Sequence, residues 1–132
     1  MSSGVGPLRV VVVDDEPLAR RRLRDLLSDV EGVSLMAECR NATSMLDAVA
    51  ATRPDVVLLD IEMPGRDGIG VADVLREMGD EGPVFVFVTA HAQHAVQAFD
   101  VRAADYLLKP YSAQRLAVAL DRARELLRAR QA

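Results

Sequence analysis

The chain has no tryptophan, only two tyrosines and three phenylalanines, and a single cysteine, Cys39, among its 132 residues. One cysteine excludes an intramolecular disulfide framework and any multi-cysteine zinc site, and fits a reducing compartment. A positive excess is also missing: the formal net charge is −4, whereas an unaided nucleic-acid binder draws most of its affinity from cationic contacts to phosphate. No apolar run approaches the twenty or so residues that a transmembrane helix requires. Residues 1–7 lack both the basic start and the apolar stretch of a signal peptide, and read as a short flexible leader. Lysine is nearly absent too, because of sixteen Lys and Arg residues only Lys109 is lysine. The expectation is a soluble, cytoplasmic protein that touches neither membrane nor nucleic acid directly.

Half of the residues are hydrophobic, enough for one domain that buries roughly two-thirds of its unfolded surface. Their distribution alternates between two patterns. Leu8–Val13, Asp55–Asp60 and Val84–Thr89 are β-branched runs with no polar face, which suits strands covered on both sides. Ser34–Cys39 and Asp105–Leu108 are weaker strand candidates, expected towards the edges. Between these five strands, β1 to β5 in chain order, lie amphipathic stretches. Helix α1 opens at Pro17 and is striped by Leu23, Leu26, Leu27 and Val30. Thr43–Ala51 (α2), Ile69–Met78 (α3) and Gln93–Val101 (α4) follow. The last helix, α5, carries Leu116, Leu120, Ala123 and Leu127, with Ser112 as its N-cap. Five strands alternating with five helices predict a doubly wound α/β fold, a five-stranded parallel sheet between helical layers.

In such sheets ligands bind beyond the carboxyl ends of the strands, so the residues there carry the functional argument. Strand one ends in Asp14-Asp15-Glu16, strand three in Asp60, strand four in Thr89-Ala90, and strand five runs into Lys109-Pro110. Acidic residues after a strand often only cap the next helix. That explanation suits Asp15 or Glu16 and serves tolerably for Thr89. It suits Asp60 poorly, since eight residues, Ile61 to Gly68, separate it from α3, and it does not account for Lys109.

Asp14-Asp15-Glu16-Pro17, Leu59-Asp60 with Ile61 to Gly68, Thr89-Ala90 and Leu108-Lys109-Pro110 together resemble the receiver domains of two-component response regulators, from residue 8 to about 127. The resemblance implies a CheY-like (flavodoxin-like) fold with sheet order 2-1-3-4-5, and a receiver domain over residues 8–130. Asp60 would be the phosphoacceptor, taking a phosphoryl group from a sensor histidine kinase. Asp15, Asp60 and the backbone carbonyl of Glu62 would ligate Mg²⁺ (or Mn²⁺), with Asp14 acting mainly through water. Thr89 and Lys109 would contact the phosphoryl oxygens, and a compact lysine point charge is not replaceable there by a planar arginine fork. A cis bond before Pro110 would aim Lys109 into the pocket. Tyr106, three residues before Lys109, matches the family's aromatic switch; the bland alternative is a strand-edge tyrosine with its hydroxyl in water. Such a domain is a signalling module rather than an enzyme, catalysing only its own phosphorylation and dephosphorylation.

The stretch Ala98–Tyr111 is similar to receivers that precede LytTR-type DNA-binding domains. The chain itself contains no output domain, and is expected to be a piece cut from such a protein, with a stand-alone receiver or phosphorelay protein as the alternative. Homodimerisation through the α4–β5–α5 surface is a family response to phosphorylation, although a solvated face is the simplest reading of Arg124, Arg128 and Arg130. Arg20, Arg21, Arg22 and Arg24 likewise read as the solvated face of α1. The resemblance allows Glu62 and His91 to tune phosphate lifetime, while His91 and His94 are surface residues rather than a metal pair. Cys39 reads as a small buried hydrophobe. Two rivals fit worse. Aspartyl-phosphate phosphatases of the haloacid-dehalogenase type carry the nucleophile after strand one, with a second aspartate two residues on, and Asp14-Asp15-Glu16-Pro17-Leu18 lacks that spacing. An FMN carrier needs a glycine- and hydroxyl-rich first loop and flanking aromatics, against the acidic loop and five aromatics of this chain.

Overall fold

Valine-rich strands without a polar face are stable only when both sides are covered, and this requirement organises the whole chain. The computed structural model describes residues 6–62, 77, 82–91 and 103–131. Its elements are β1 (Leu8–Val13), α1 (Pro17–Ser28), β2 (Val33–Cys39), α2 (Ala42–Thr52), β3 (Val56–Asp60), β4 (Val84–Thr89), β5 (Asp105–Leu108) and α5 (Ala113–Gln131). The five strands form one parallel sheet in the order β2-β1-β3-β4-β5, with the two weaker strands at its edges. The stretches expected to form α3 and α4 lie, Glu77 apart, outside the described residues. Among those described, no helix is long and apolar enough to cross a membrane.

Alternate residues of the central strands serve opposite layers. Val10, Val12, Leu58, Val86, Val88 and Leu107 pack with Leu23 and Leu27 of α1 and with Leu116, Leu120 and Ala123 of α5. Val11, Val13, Val57, Leu59, Phe85 and Phe87 pack instead with Cys39 and with Met45 and Val49 of α2. Each buried Val, Leu, Phe or Met side chain among them contributes roughly 1.5–3 kcal/mol by leaving water. Cys39 is buried, as expected, and burial pushes its thiol pKa up.

Local chemistry sets where the helices begin. Pro17 occupies the first turn of α1, where its missing N–H costs nothing. The Asn41 side chain accepts the Ser44 amide at 2.8 Å while the Ser44 hydroxyl accepts the Asn41 amide at 3.4 Å, a reciprocal capping box for α2. The Ser112 hydroxyl accepts the Arg115 amide at 3.0 Å and caps α5. Asp55, expected to open β3, instead precedes it, and its carboxylate accepts the Arg9 amide at 2.8 Å.

The arginines of α1 lie on its solvated face as expected, Arg21, Arg22 and Arg24 exposed and Arg20 half-buried, and three of them also reach neighbouring acceptors. Arg20 donates to the Asp14 carbonyl at 2.6 Å, Arg22 to the Tyr111 carbonyl at 2.9 Å, and Arg24 pairs with Glu38 at 2.9 Å. The Arg22 guanidinium also lies 5.7 Å from the centre of the Tyr111 ring. Helical spacing marks these positions as polar but cannot show that neighbouring loops and β2 bring acceptors to them.

Asp105, at the start of β5, is held by Arg115 at 2.6 and 2.8 Å and by Arg122 at 2.9 Å. Burial alone would raise its carboxyl pKa; hydrogen bonds from Arg115 and the Tyr106 amide, with the charges of both arginines, outweigh this and hold it below the ordinary value. Asp105→Ala is expected to cost about 2–3 kcal/mol, because the carboxylate is buried and its partners lose their acceptor. A depressed folded pKa gives stability that is full above the unfolded value near 3.8 and is lost as pH falls through the folded value. Urea titrations of both proteins will therefore show a gap at about pH 7 that narrows at about pH 3; an equal gap at both would contradict the pairing.

Candidate functional site

All strands of a parallel sheet end on the same edge, so the residues that follow them meet there. The loop after β1 delivers Asp14, which is buried, Asp15, which is half-buried, and Glu16, which is exposed. Asp60 is the last residue of β3 and Thr89 the last of β4, both buried. Asp14, Asp15, Glu16 and Asp60 each bring one carboxylate oxygen to within 4.8 Å of the others.

Two tight turns aim these carboxylates. Asp14 Oδ1 accepts the Glu16 amide and Asp60 Oδ1 accepts the Glu62 amide, both at 2.9 Å. Lys109 enters from the end of β5. Its Nζ lies 2.9 Å from Asp14 Oδ2, 3.8 Å from Glu16 Oε1 and 3.9 Å from Asp60 Oδ2. Its amide donates to the Thr89 carbonyl at 2.7 Å, and the Lys109–Pro110 peptide bond is cis.

Four carboxylates thus converge, three of them 2.9–3.9 Å from one ammonium, and the protonation of Asp60 reflects it. Burial pushes its pKa up to about 6, opposed by the Glu62 amide and Lys109 and reinforced by the charges of Asp14 and Asp15. Burial would lower Lys109, but the hydrogen bond and charge of Asp14, with Asp60 and Glu16, raise it above its usual value. An ammonium fixed against carboxylates, beside a buried carboxylate that resists ionising, is a site able to accept further positive charge.

A second group adjoins the first. The Thr89 hydroxyl donates to Glu62 Oε1 at 3.0 Å and accepts the His91 amide at 3.2 Å. His91 Nε2 lies 3.2 Å from the same Glu62 oxygen. The Tyr106 hydroxyl donates to the His91 carbonyl in an exposed contact on the edge strand, an arrangement compatible with both the switch and the strand-edge tyrosine.

The structure therefore brings Asp14, Asp15, Asp60 and Lys109 into one cluster, and joins Thr89 and Tyr106 through Glu62 and His91. Glu16 is the member that sequence reasoning passed over as a helix cap. It does stand at the N-cap of α1, but its side chain makes no capping hydrogen bond. Its place in an unbroken acidic triplet was the available signal. His94 and the residues Met63 to Gly68 lie outside the described ones.

The raised Asp60 pKa has a measurable consequence without metal. Between pH 3.8 and about 6 the folded protein holds a proton that the unfolded chain has released, so stability falls as pH rises across that window. In a chelating buffer, Asp60→Asn is expected to raise the unfolding free energy at neutral pH by about 2 kcal/mol, with the gain vanishing below about pH 4. Thermal or urea unfolding of both proteins checks this; a destabilising substitution at neutral pH would contradict the crowding of charge.

Residues 10–121 match the response regulator receiver domain family. Over 115 residues the chain is 46% identical to an uncharacterized response regulatory protein of Yersinia pestis, covering 87% of this chain and 48% of that one. It is 42% identical over 118 residues to the transcriptional regulatory protein BtsR of Escherichia coli, covering 89% and 48% respectively. To the sensory transduction protein LytT of Oceanobacillus iheyensis it is 38% identical over 121 residues, covering 91% and 49%. The chain thus spans about half the length of these curated relatives. Among solved structures, the signal receiver domain of the putative response regulator NarL from Mycobacterium tuberculosis superposes with a TM-score of 0.81 at 35% identity, covering 90% of this chain and 98% of that one. The relatives include LytT and BtsR, in keeping with a LytTR-type subfamily, and the chain belongs to the response regulator receiver domain family, a signalling domain of two-component systems.

Proposed function

We propose that Asp60 is the phosphoacceptor of this receiver and takes its phosphoryl group from a phosphohistidine on a sensor histidine kinase. The observation that carries this is Asp60 itself: a buried carboxylate whose Oδ1 is engaged by the Glu62 amide at 2.9 Å while Oδ2 faces Lys109 at 3.9 Å. An Asp60 oxygen forms the new bond to phosphorus as the phosphorus–nitrogen bond breaks, and the departing imidazole takes up a proton. A carboxylate is a weak nucleophile, so alignment and neutralisation of charge must supply the catalysis.

The donor set fits a hard divalent cation, Mg²⁺ or Mn²⁺. Four carboxylates converge, three of them against one ammonium, and oxygen donors of this kind suit such ions. Asp15, Asp60 and the Glu62 backbone carbonyl would hold it, with Asp14, both of whose oxygens are already hydrogen-bonded, acting through water. The bound ion would offset the carboxylate charge and that of the incoming phosphoryl group. Lys109 pairs with a phosphoryl oxygen and Thr89 donates to another. Movement of Thr89 is read out by Tyr106 and passes to the α4–β5–α5 surface, shifting its population between two states. Autodephosphorylation closes the cycle.

Residues 8–130 form the receiver unit in this reading, acting in the cytoplasm. The doubled length and regulatory names of the relatives support an attached LytTR-type DNA-binding output domain in the full protein, with homodimerisation through the same surface as the means of control. The net charge of −4 leaves nucleic-acid binding to that output domain.

Incubation with phosphoramidate and Mg²⁺ will give one hydroxylamine-labile adduct by intact mass, absent in Asp60→Asn; an adduct that survives this substitution would sink the assignment. Lys109→Arg should slow adduct formation at least about tenfold, as loss of a positioned charge does, while Mg²⁺ affinity stays within about threefold. Abolished Mg²⁺ binding in a folded Lys109→Arg protein would show that the lysine serves the metal site rather than the phosphoryl group.

A further inference from the structure

A hydroxyl has one proton to donate, and in Thr89 that proton is already committed. It goes to Glu62 Oε1 at 3.0 Å, a charge-assisted hydrogen bond. The other side of the oxygen accepts the His91 amide at 3.2 Å. Thr89 is completely buried, and both sides of its hydroxyl are occupied by protein groups. A phosphoryl oxygen on Asp60 that needs the Thr89 proton must therefore take it from Glu62.

We propose that Glu62 is a positioning residue whose carboxylate holds the Thr89 hydroxyl in the unmodified protein and competes with the phosphoryl group for it. This rests on the reading of Asp60 as phosphoacceptor. The competitor is suited to yielding, since the Glu62 side chain is 45% exposed and its carboxylate is rehydrated once released. The consequence is not confined to Thr89. Glu62 Oε1 also lies 3.2 Å from His91 Nε2, and the His91 carbonyl accepts the Tyr106 hydroxyl. Exchange of the Thr89 proton from Glu62 to a phosphoryl oxygen thus changes the partners of the residue on which the Tyr106 ring is anchored. Glu62 sets how much of the energy of the Thr89–phosphoryl bond is left to drive the switch.

A plain negative charge near the site would also weaken anion binding, and a double-mutant cycle separates the two roles. Beryllofluoride with Mg²⁺ is the phosphoryl probe, its affinity measured by calorimetry alongside the rate of Asp60 modification by phosphoramidate. Glu62→Ala is expected to tighten beryllofluoride binding roughly tenfold, the equivalent of one charge-assisted hydrogen bond no longer broken. Glu62→Gln, which keeps an acceptor oxygen without the charge, gives a smaller gain. In a Thr89→Ala background the same Glu62→Ala substitution should change affinity less than about twofold. Equal tightening in both backgrounds would make Glu62 a repelling charge only and overturn the proposal, as would no tightening in the Thr89 background. A wild type that is modified at Asp60 yet gives either of these results sinks this inference alone. A wild type that is never modified at Asp60 sinks the phosphoacceptor reading and this inference with it.

Discussion

The crowding of negative charge at one edge of the sheet is the constraint on which the rest depends. Asp14, Asp15, Glu16 and Asp60 would separate if their backbones were free, since like charges at such distances repel. They are held because each stands at or just beyond the end of a strand that cannot move. Lys109 relieves part of the repulsion, and its pairing with Asp14 at 2.9 Å links the end of β1 to the end of β5. Those strands are not neighbours, since β3 and β4 lie between them. Lys109 and Asp14 therefore tie these two ends together across the sheet edge.

Hydrophobic burial supplies the rigidity. Asp60 pairs in register with Val88, and Thr89 with Leu108, so the chemical residues extend apolar ladders by a single position. A slip of one residue in any central strand would exchange the side chains meant for α2 with those meant for α1 and α5. The same alternation that places Phe87 in one layer and Val88 in the other therefore determines where the Thr89 hydroxyl stands. Precision at the site is a by-product of packing.

Two functions divide the edge. The carboxylates and Lys109 form an electrostatic group able to take up positive charge and an anion beside it. Thr89, Glu62, His91 and Tyr106 form a chain of hydrogen bonds leading away from that group towards β5. Arginines from α1 secure the backbone around both: Arg20 binds the Asp14 carbonyl and Arg22 the Tyr111 carbonyl, two residues beyond Lys109. Helix α1 thus covers the core with its leucines and steadies the site loops with its cations.

Much of this was legible in the chain before folding. Unbroken valine runs imply strands buried on both faces, leucine spacing implies helices, and their alternation implies a parallel sheet with one functional edge. The motifs at strand ends, and one lysine among sixteen basic residues, then mark Asp60, Thr89 and Lys109. The fold inferences succeed because periodicity and strand ends are local properties. The hydrogen-bonded partners are not. That Glu16 leaves its capping role for the carboxylate cluster, that Thr89 gives its proton to Glu62, and that Tyr106 bonds to the His91 carbonyl depend on loops 15 to 95 residues apart meeting in space. Composition and spacing determined which chemical groups the edge would hold; tertiary packing decided which of them touch, because hydrogen bonds act over ångströms and the sequence records no distance between loops.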